Sequence, residues 1–356
     1  MNGPASTPFV SVIMPVRNEA DFIERSVGAA LGQEWPEDRL EIVVADGLSD
    51  DGTLQILERM AAAEPRLRVI ANPHGIVAPG LNLAIAEARG EVVIRVDGHC
   101  EIEPTYVKRC VEVIGRHRAE DGDLLLGVGG PIETVGKTWV ARAIAAGMSS
   151  LFGVGGSDFR VGSKTERSVD TVAFPGYPRA TLDAVGPFDE ELVRNQDDEY
   201  NYRLREAGGK VVLSPDIRSK YHSRSSLSSL WRQYFQYGMW KVRVMQKHPR
   251  QMKARQFVPA LFVLALFKTL IAGFIMPPVW IFFALVAGSY LVVNLAASIA
   301  VSFKRGLPLL PALPAVFAIL HFAYGFGFLW GIVRFALRWG DRTTLVGGER
   351  IMVGEG

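Results

Sequence analysis

Val92–Cys100 reads VVIRVDGHC. Its apolar, β-branched residues predict a strand buried on both faces. That strand stops at Asp97-Gly98-His99. In open α/β sheets ligands collect at the carboxyl ends of strands. One carboxylate and one imidazole there suit a phosphate-bearing ligand held through a divalent cation. Taken alone, the same residues also describe a simple turn, because Asp-Gly is a common turn dipeptide. The flanking chain separates the two readings.

Upstream, Val10–Met14 (VSVIM) reads as a buried strand stopped by Pro15. Arg17-Asn18-Glu19 leads into a predicted helix over Ala20–Leu31, with Phe22, Ile23, Val27 and Leu31 on one face. Leu40–Ala45 predicts a second strand ending in Asp46-Gly47. Asp50, Asp51 and Thr53 are good caps for a helix running to Ala63. A third strand, Leu67–Ile70, and a helix over Pro79–Arg89 closed by Gly90 precede the Asp97 strand; a helix over Pro104–Arg118 follows it. This alternation predicts an α/β fold, a mostly parallel sheet with helices on both faces. No GxGxxG follows the first strand, which argues against the usual dinucleotide fold.

Further on, Leu124–Val128 predicts a strand, with Gly127, Gly129 and Gly130 marking a bulge or a close backbone approach. Residues 134–168 read as a mobile substrate-side loop around a short helix near Val140–Met148, or as a plain surface insertion. Val169–Phe174 reads as a strand, Pro175-Gly176-Tyr177-Pro178 as a turn and Arg179–Val185 as a helix. Asn195-Gln196-Asp197-Asp198-Glu199 opens a helix to Ala207, and a last strand, Val211–Leu213, leads to Tyr221-His222.

The overall charge of +2 hides a division. Residues 1–216 carry 22 basic and 34 acidic side chains, a net of −12. Ile217–Gly340 contains no Asp or Glu but fifteen Lys or Arg. An acidic part and a basic, apolar part imply two environments, the second a membrane with an anionic surface. The long apolar runs argue against nucleic acid as the partner of the basic part. Leu230–Lys247 predicts an aromatic, basic helix in the headgroup layer. Phe257–Met276, Val279–Phe303 and Leu307–Val333 each reach the roughly 20 residues that cross a bilayer. Arg243–Arg255 and Lys304-Arg305 favour the cytoplasmic side, which fits a hairpin through Pro277-Pro278. Arg334, Arg338 and Arg342 favour it too, but three crossings would place them outside. Pro308, Pro311 and Pro314 allow a bent or re-entrant third segment, so the number of crossings stays open. Cys100 and Cys110 form no CxxC pair, which suits a reducing compartment. MNGPASTPF lacks the pattern of a signal peptide, so the N-terminal part is expected in the cytoplasm.

Asp46, Asp97 with His99, Asp197 with Asp198, and His222 all fall at strand or helix ends. Four segments in this order, VSVIMPVRNE, VVADGLSDDGT, RVDGHC and NQDDEYNYRLREAG, resemble the inverting family 2 glycosyltransferases with the nucleotide-sugar-binding GT-A fold. The resemblance covers about Phe9 to Trp240. The basic, apolar remainder resembles membrane-bound members of the succinoglycan type that build bacterial exopolysaccharide. The resemblance implies that Pro15, Arg17, Glu19 and Asp46 hold base and ribose. The DxD element, here Asp97-Gly98-His99, implies ribose and metal binding, with Mn or Mg as the divalent cation and His222 as a later ligand. The Glu-Asp element, here Gln196-Asp197, implies Asp197 as general base, with Asp198 the alternative; either could instead cap the helix. The processive QxxRW element reads Gln236-Tyr237-Gly238-Met239-Trp240, with Met in the Arg place, which weakens a processive reading. Arg232, Lys241 or Arg243 are expected to serve the diphosphate instead. Trp240 is expected either to stack on an acceptor sugar or to anchor the membrane interface.

The expected enzyme transfers a sugar from a UDP-type donor to a lipid-linked glycan at the inner membrane, with its catalytic domain cytoplasmic. The rivals are a processive synthase and a non-catalytic membrane scaffold. The expected layout is a catalytic domain over 1–227, an amphipathic interfacial region over 228–256, membrane segments over 257–340 and a tail over 341–356.

Overall fold

The computed structural model describes residues 7–122 and 124–352. The signal-peptide reading rests largely on residues 1–6, outside the described residues. Along the chain run β1 (Val10–Val16), α1 (Ile23–Leu31), β2 (Leu40–Asp46), α2 (Thr53–Ala63), β3 (Leu67–Ala71), α3 (Val77–Glu87) and β4 (Val92–Arg95). Then come β5 (Cys100–Ile102), α4 (Tyr106–Asp121), β6 (Leu126–Gly130), β7 (Ile132–Val135), α5 (Trp139–Met148), α6 (Leu151–Val154) and α7 (Asp158–Val161). These lead to β8 (Arg167–Ser168), β9 (Ala173–Pro178), α8 (Arg179–Val185), α9 (Gln196–Glu206), β10 (Lys210–Leu213) and β11 (Ser219–His222). The chain closes with α10 (Leu227–Lys247), α11 (Ala254–Ile275), α12 (Trp280–Arg305), α13 (Leu313–Arg334), β12 (Thr343–Val346) and β13 (Glu349–Met352).

The chain divides into two compact units. One holds the residues through Glu133, Gly162–Tyr221 and the segment from Thr343 on; the other holds Thr134–Val161 and His222–Arg342. The first unit is built on an eight-stranded sheet in the order β3-β2-β1-β4-β9-β6-β10-β8. β3, β2, β1 and β4 are mutually parallel, in register Val16↔Asp46 and Ile13↔Arg95. β1 and β2 are buried at every position, in keeping with their mostly apolar residues; the buried Ser11 and Glu41 within them bond each other at 2.6 Å.

The turn read at Pro175–Pro178 is instead part of β9. It pairs antiparallel with β4 through Val92↔Pro178 and Ile94↔Gly176. Gly176 allows this: a Cβ there would stand 3.3 Å from Ile94 Cγ1 and 3.4 Å from Cys110 Cβ of α4. The glycines of β6 do mark an irregularity, between Val128 and Gly130. A Cβ on Gly130 would fall 1.6 Å from the Ile217 carbonyl oxygen, so only glycine fits. The presumed tail forms a hairpin, β12–β13, turning at Gly347 and Gly348 with φ of 57° and 85°. It belongs to the first unit: Glu190 N–H donates to the Leu345 carbonyl at 2.8 Å, Leu345 N–H to Asp189 Oδ1 at 3.0 Å, and Gly347 N–H to Glu190 Oε2 at 2.7 Å.

In the second unit, α11, α12 with its preceding turn, and α13 are long and apolar enough to cross a membrane. The region read as a mobile loop contributes α5 and α6, which pack on α13. Phe152 sets its ring edge-on to Phe317 and to His321, with centroids 5.0 and 4.7 Å apart. His321 Nε2 bonds the Phe152 carbonyl at 2.8 Å. α10 lies against the other half of α13 through glycines. A Cβ on Gly238 would meet Tyr324 O at 2.1 Å, one on Gly327 would meet Phe235 O at 2.0 Å, and one on Gly331 would meet Met239 O at 2.6 Å. Such small residues let two helix backbones touch.

Candidate active site

Three loops at the carboxyl ends of β1, β2 and β3 are tied together by side chains. Asn18, in the left-handed region at φ 57°, donates to Asp50 Oδ1 (2.8 Å) and accepts from Asp50 N–H (3.0 Å). Glu19 N–H donates to Thr53 Oγ1 at 2.8 Å and Ala20 N–H to Asp51 Oδ2 at 3.0 Å. These bonds hold residues 18–20 out of the helix, so α1 starts at Ile23 rather than at Ala20. Asp46 is buried and receives Ser49 Oγ–H at 2.6 Å and Ser49 N–H at 3.1 Å. Arg17 Nη1 donates to the Gly75 carbonyl at 3.0 Å. Gly47 and Gly75 face one another closely: a Cβ on Gly47 would stand 3.3 Å from Gly75 Cα.

The turn after β4 packs on the first of these loops. A Cβ on Gly98 would meet Val16 Cγ1 at 2.9 Å and Glu19 Cγ at 3.0 Å. This closeness brings His99 Nδ1 to 2.8 Å from Glu19 Oε1. In the tautomer that donates from Nδ1 to this carboxylate, Nε2 is the lone-pair nitrogen. Nε2 is buried and has no hydrogen-bond partner. Tyr221 of β11 holds the ring edge-on, with centroids 4.9 Å apart.

Arg95, which the sequence reading did not single out, organises the centre. It sits at the end of β4, 5 % exposed. Its Nη2 donates to Asp97 Oδ1 at 2.7 Å, and its Nη1 forms an ion pair with Asp197. One guanidinium fork therefore holds two carboxylates from distant parts of the chain. Burial alone would lower the Arg95 pKa; the charges of Asp197 and Asp97 outweigh it and hold the cation firmly. For Asp197, burial is the largest influence and raises the pKa above the usual carboxylate range, against the opposing pull of Arg95.

Asp197 lies in the first turn of α9, where the helix dipole favours an anion. The helix is fixed from below. Tyr200 stacks on Phe188 at 4.1 Å, and Arg203 pairs with buried Glu199 at 2.7 Å while donating to the Val185 and Pro187 carbonyls. Of the two candidate bases, Asp197 is the one in the Arg95–Asp97 group.

Pro15, Arg17, Glu19, Asp46, Asp97, His99 and Asp197 thus all lie in the first unit, in the last residues of its parallel strands, on the loops after them or at the start of α9. His222, Arg232, Trp240 and Lys241 belong to the second unit. There Arg232 is exposed and Lys241 buried. Trp240 packs on Phe335, with ring centroids 5.4 Å apart. Arg243 is fully buried and bonded to Asp341 through Oδ2 (3.0 Å) and the carbonyl (2.9 Å), so its charge is already matched. Among the described residues no group of three or more His, Cys, Asp or Glu side chains is arranged to hold a metal ion. Asp97 and His99 stand two residues apart on the turn after β4, Asp97 bonded to Arg95 and His99 to Glu19.

Comparison with known proteins identifies the family and the fold. The family model of glycosyl transferase family 2 matches residues 11–126. The succinoglycan biosynthesis protein ExoA of Rhizobium meliloti is 31 % identical over 267 residues, 73 % of this chain and 77 % of that protein. A Methanococcus voltae protein is 27 % identical over 329 residues, 92 % of this chain and 98 % of its own length. It is named dolichyl N-acetyl-alpha-D-glucosaminyl phosphate 3-beta-D-2,3-diacetamido-2,3-dideoxy-beta-D-glucuronosyltransferase. Among solved structures, the mannosyltransferase PcManGT of Pyrobaculum calidifontis, in complex with GDP-Man and Mn2+, superposes with a TM-score of 0.55 at 20 % identity. That match covers 91 % of this chain and 87 % of the mannosyltransferase. By its sequence and its GT-A fold, the chain belongs to glycosyltransferase family 2.

Proposed function

We propose that the chain is a membrane-attached, inverting glycosyltransferase of the cytoplasmic face of the inner membrane. It moves a sugar from a nucleoside diphosphate donor, a UDP-sugar, to a lipid-linked glycan. The observation that carries this reading is the Arg95 fork, which sets Asp97 of the donor side beside Asp197 of the acceptor side. The archaeal relative's name, with its dolichyl glycosyl phosphate, supports a lipid-linked acceptor.

In this reading Pro15, Arg17, Glu19 and Asp46 line the place of base and ribose. A divalent cation, Mn2+ or Mg2+, held by Asp97 and His99, would supply charge neutralisation for the departing diphosphate. The sequence-derived third ligand, His222, lies in the second unit, and the proposal rests on the other two. Asp197 takes the proton of the acceptor hydroxyl as its oxygen bonds to the anomeric carbon. The bond from that carbon to the phosphate oxygen breaks, its electron pair leaves with the diphosphate, and one displacement inverts the centre. Arg232 and Lys241 are assigned to the acceptor or the diphosphate, and Trp240 to the acceptor. The domain layout is kept as a catalytic domain to residue 227, an interfacial region over 228–256 and membrane segments over 257–340.

Detergent-solubilised protein mixed with UDP- and GDP-sugars and Mn2+ tests this. One donor is expected to raise the melting temperature, since at a hundredfold excess over Kd a ligand adds about 2.7 kcal/mol. The same donor is expected to give product of inverted anomeric configuration, and Asp97→Ala to lose both effects. Failure of every donor to bind or react would remove the reading. Binding without turnover would identify a scaffold. A second expectation concerns Gly98→Ala: the added methyl has no room beside Glu19 and Val16. The displaced turn should lower kcat/KM by roughly 10–100-fold, because small misplacements at a reacting centre are costly. Circular dichroism should show the fold retained.

A further inference from the structure

Three helices qualify by length and composition to cross a membrane, yet the chain's own connections allow only an even number of crossings. The first unit releases the chain after Tyr221 and takes it back at Thr343. The returning hairpin is bonded to Asp189 and Glu190 of that same unit. Both ends of the intervening segment therefore lie on one side of the bilayer.

The segment that does not cross can be identified. Of the apolar stretch of α13, 44 % is buried within the protein, against 17 % for α11 and 6 % for the segment containing α12. What buries α13 comes from segments tied to the first unit along the chain. Its first half meets α5 and α6, whose segment leaves the first unit after Glu133 and returns to it at Gly162. Its second half meets α10, in step from Phe235 against Gly327 to Gln246 against Phe335. α10 carries Arg232, Gln233, Gln236, Lys241, Arg243, Gln246 and Lys247 within 21 residues, too polar for a bilayer core. If α13 crossed, residues 335–342 would have to lead back through hydrocarbon to reach Thr343. Non-helical backbone there leaves polar groups unsatisfied at several kcal/mol each.

We infer that α13 lies in the interface on the side of the catalytic unit, packed on α10, and that the chain crosses the membrane twice, as a hairpin of α11 and α12. The charges then agree. Arg250, Lys253 and Arg255 before or at the start of α11, Lys304 and Arg305 in the last turn of α12, and Arg334, Arg338 and Arg342 at and beyond the end of α13 all fall on one side, while Lys268 is the charge within a crossing helix, seven residues from its end. The turn on the other side, Met276-Pro277-Pro278-Val279, carries no charge. Trp330, Leu337 and Trp339, exposed at the end of α13 beside these arginines, fit the aromatic and apolar belt of an interface.

Single cysteines at exposed positions test this in sealed vesicles, read with a membrane-impermeant maleimide. The native Cys100 and Cys110 are buried and stay silent. Glu58→Cys marks the catalytic side. Lys304→Cys and Glu349→Cys are expected to label from that same face, and Pro277→Cys only from the opposite one. A C-terminal epitope tag on the otherwise unaltered chain gives the same reading through protease access, without any substitution. Labelling of Glu349→Cys, or cleavage of the tag, from the face opposite Glu58→Cys would overturn the inference. So would labelling of Pro277→Cys from the same face as Glu58→Cys. The readout needs no donor and no turnover, so it stands or falls apart from the proposed reaction.

Discussion

Asp197→Asn is expected to lower kcat by about 10²–10⁴-fold, the range of a lost general base. The amide has the same shape but cannot accept the acceptor's proton at neutral pH. Donor affinity should change little, because Arg95 still grips Asp97 at 2.7 Å. Asp198→Asn, outside the Arg95 group, should keep most of the activity. A pH profile adds an independent reading. Burial raises the Asp197 pKa, so its proton is lost later than from an ordinary carboxylic acid. The acid limb of kcat/KM should therefore lie above the usual Asp range, activity rising as pH rises through it. That limb should vanish in Asp197→Asn. Full activity in this variant, with loss in Asp198→Asn, would transfer the role to Asp198.

Arg95→Met should have the largest effect on stability. It removes the buried shared cation and leaves two partly exposed carboxylates facing each other. Breaking a fully buried ion pair from one side costs about 3–5 kcal/mol, and the exposure of the carboxylates puts this pair at the lower end. At roughly 2–4 °C per kcal/mol for a unit of this size, the melting temperature should fall by on the order of 10 °C. Arg95→Lys should recover only part of it, since an ammonium lacks the planar fork that reaches both partners. Adding Asp197→Asn to Arg95→Met should restore stability by removing one of the two opposed charges. Lowering the pH should act in the same direction, because protonating the orphaned carboxylates relieves their repulsion. Equal stability of Arg95→Met and the parent at neutral pH would show that the fork is not what keeps Asp97 and Asp197 together.

The half of the fold that positions the donor loops was legible because its strands are buried throughout and end in polar loops. Val10–Val16, Leu40–Asp46 and Val92–Arg95 announce themselves by composition. Asp97 and Asp197 were legible for the same reason: each stands where an element begins or ends. Arg95 was not. A charge inside an apolar run gives no sign of its partners, and its second partner lies about a hundred positions away in sequence. β9 was hidden by its own residues, since Pro-Gly-Tyr-Pro is turn chemistry until two neighbouring strands are available to pair with it. The C-terminal hairpin did carry a signal, Gly347-Gly348 between TTLV and ERIM, a two-residue loop between short strand-like runs. The number of membrane crossings was the least legible. Hydropathy measures whether a helix tolerates lipid, whereas burial of α13 by its own chain decides whether it meets lipid at all.

The returning hairpin also bears on how the protein is made. Its strands are translated after α11, α12 and α13, yet their bonding partners Asp189 and Glu190 emerged long before. The catalytic unit therefore cannot be completed on the ribosome while the membrane segments are still being inserted. A chain cut short before Thr343 would leave that loop, six residues ahead of α9, without its neighbour. Closing of the unit therefore waits on the segment that follows α13.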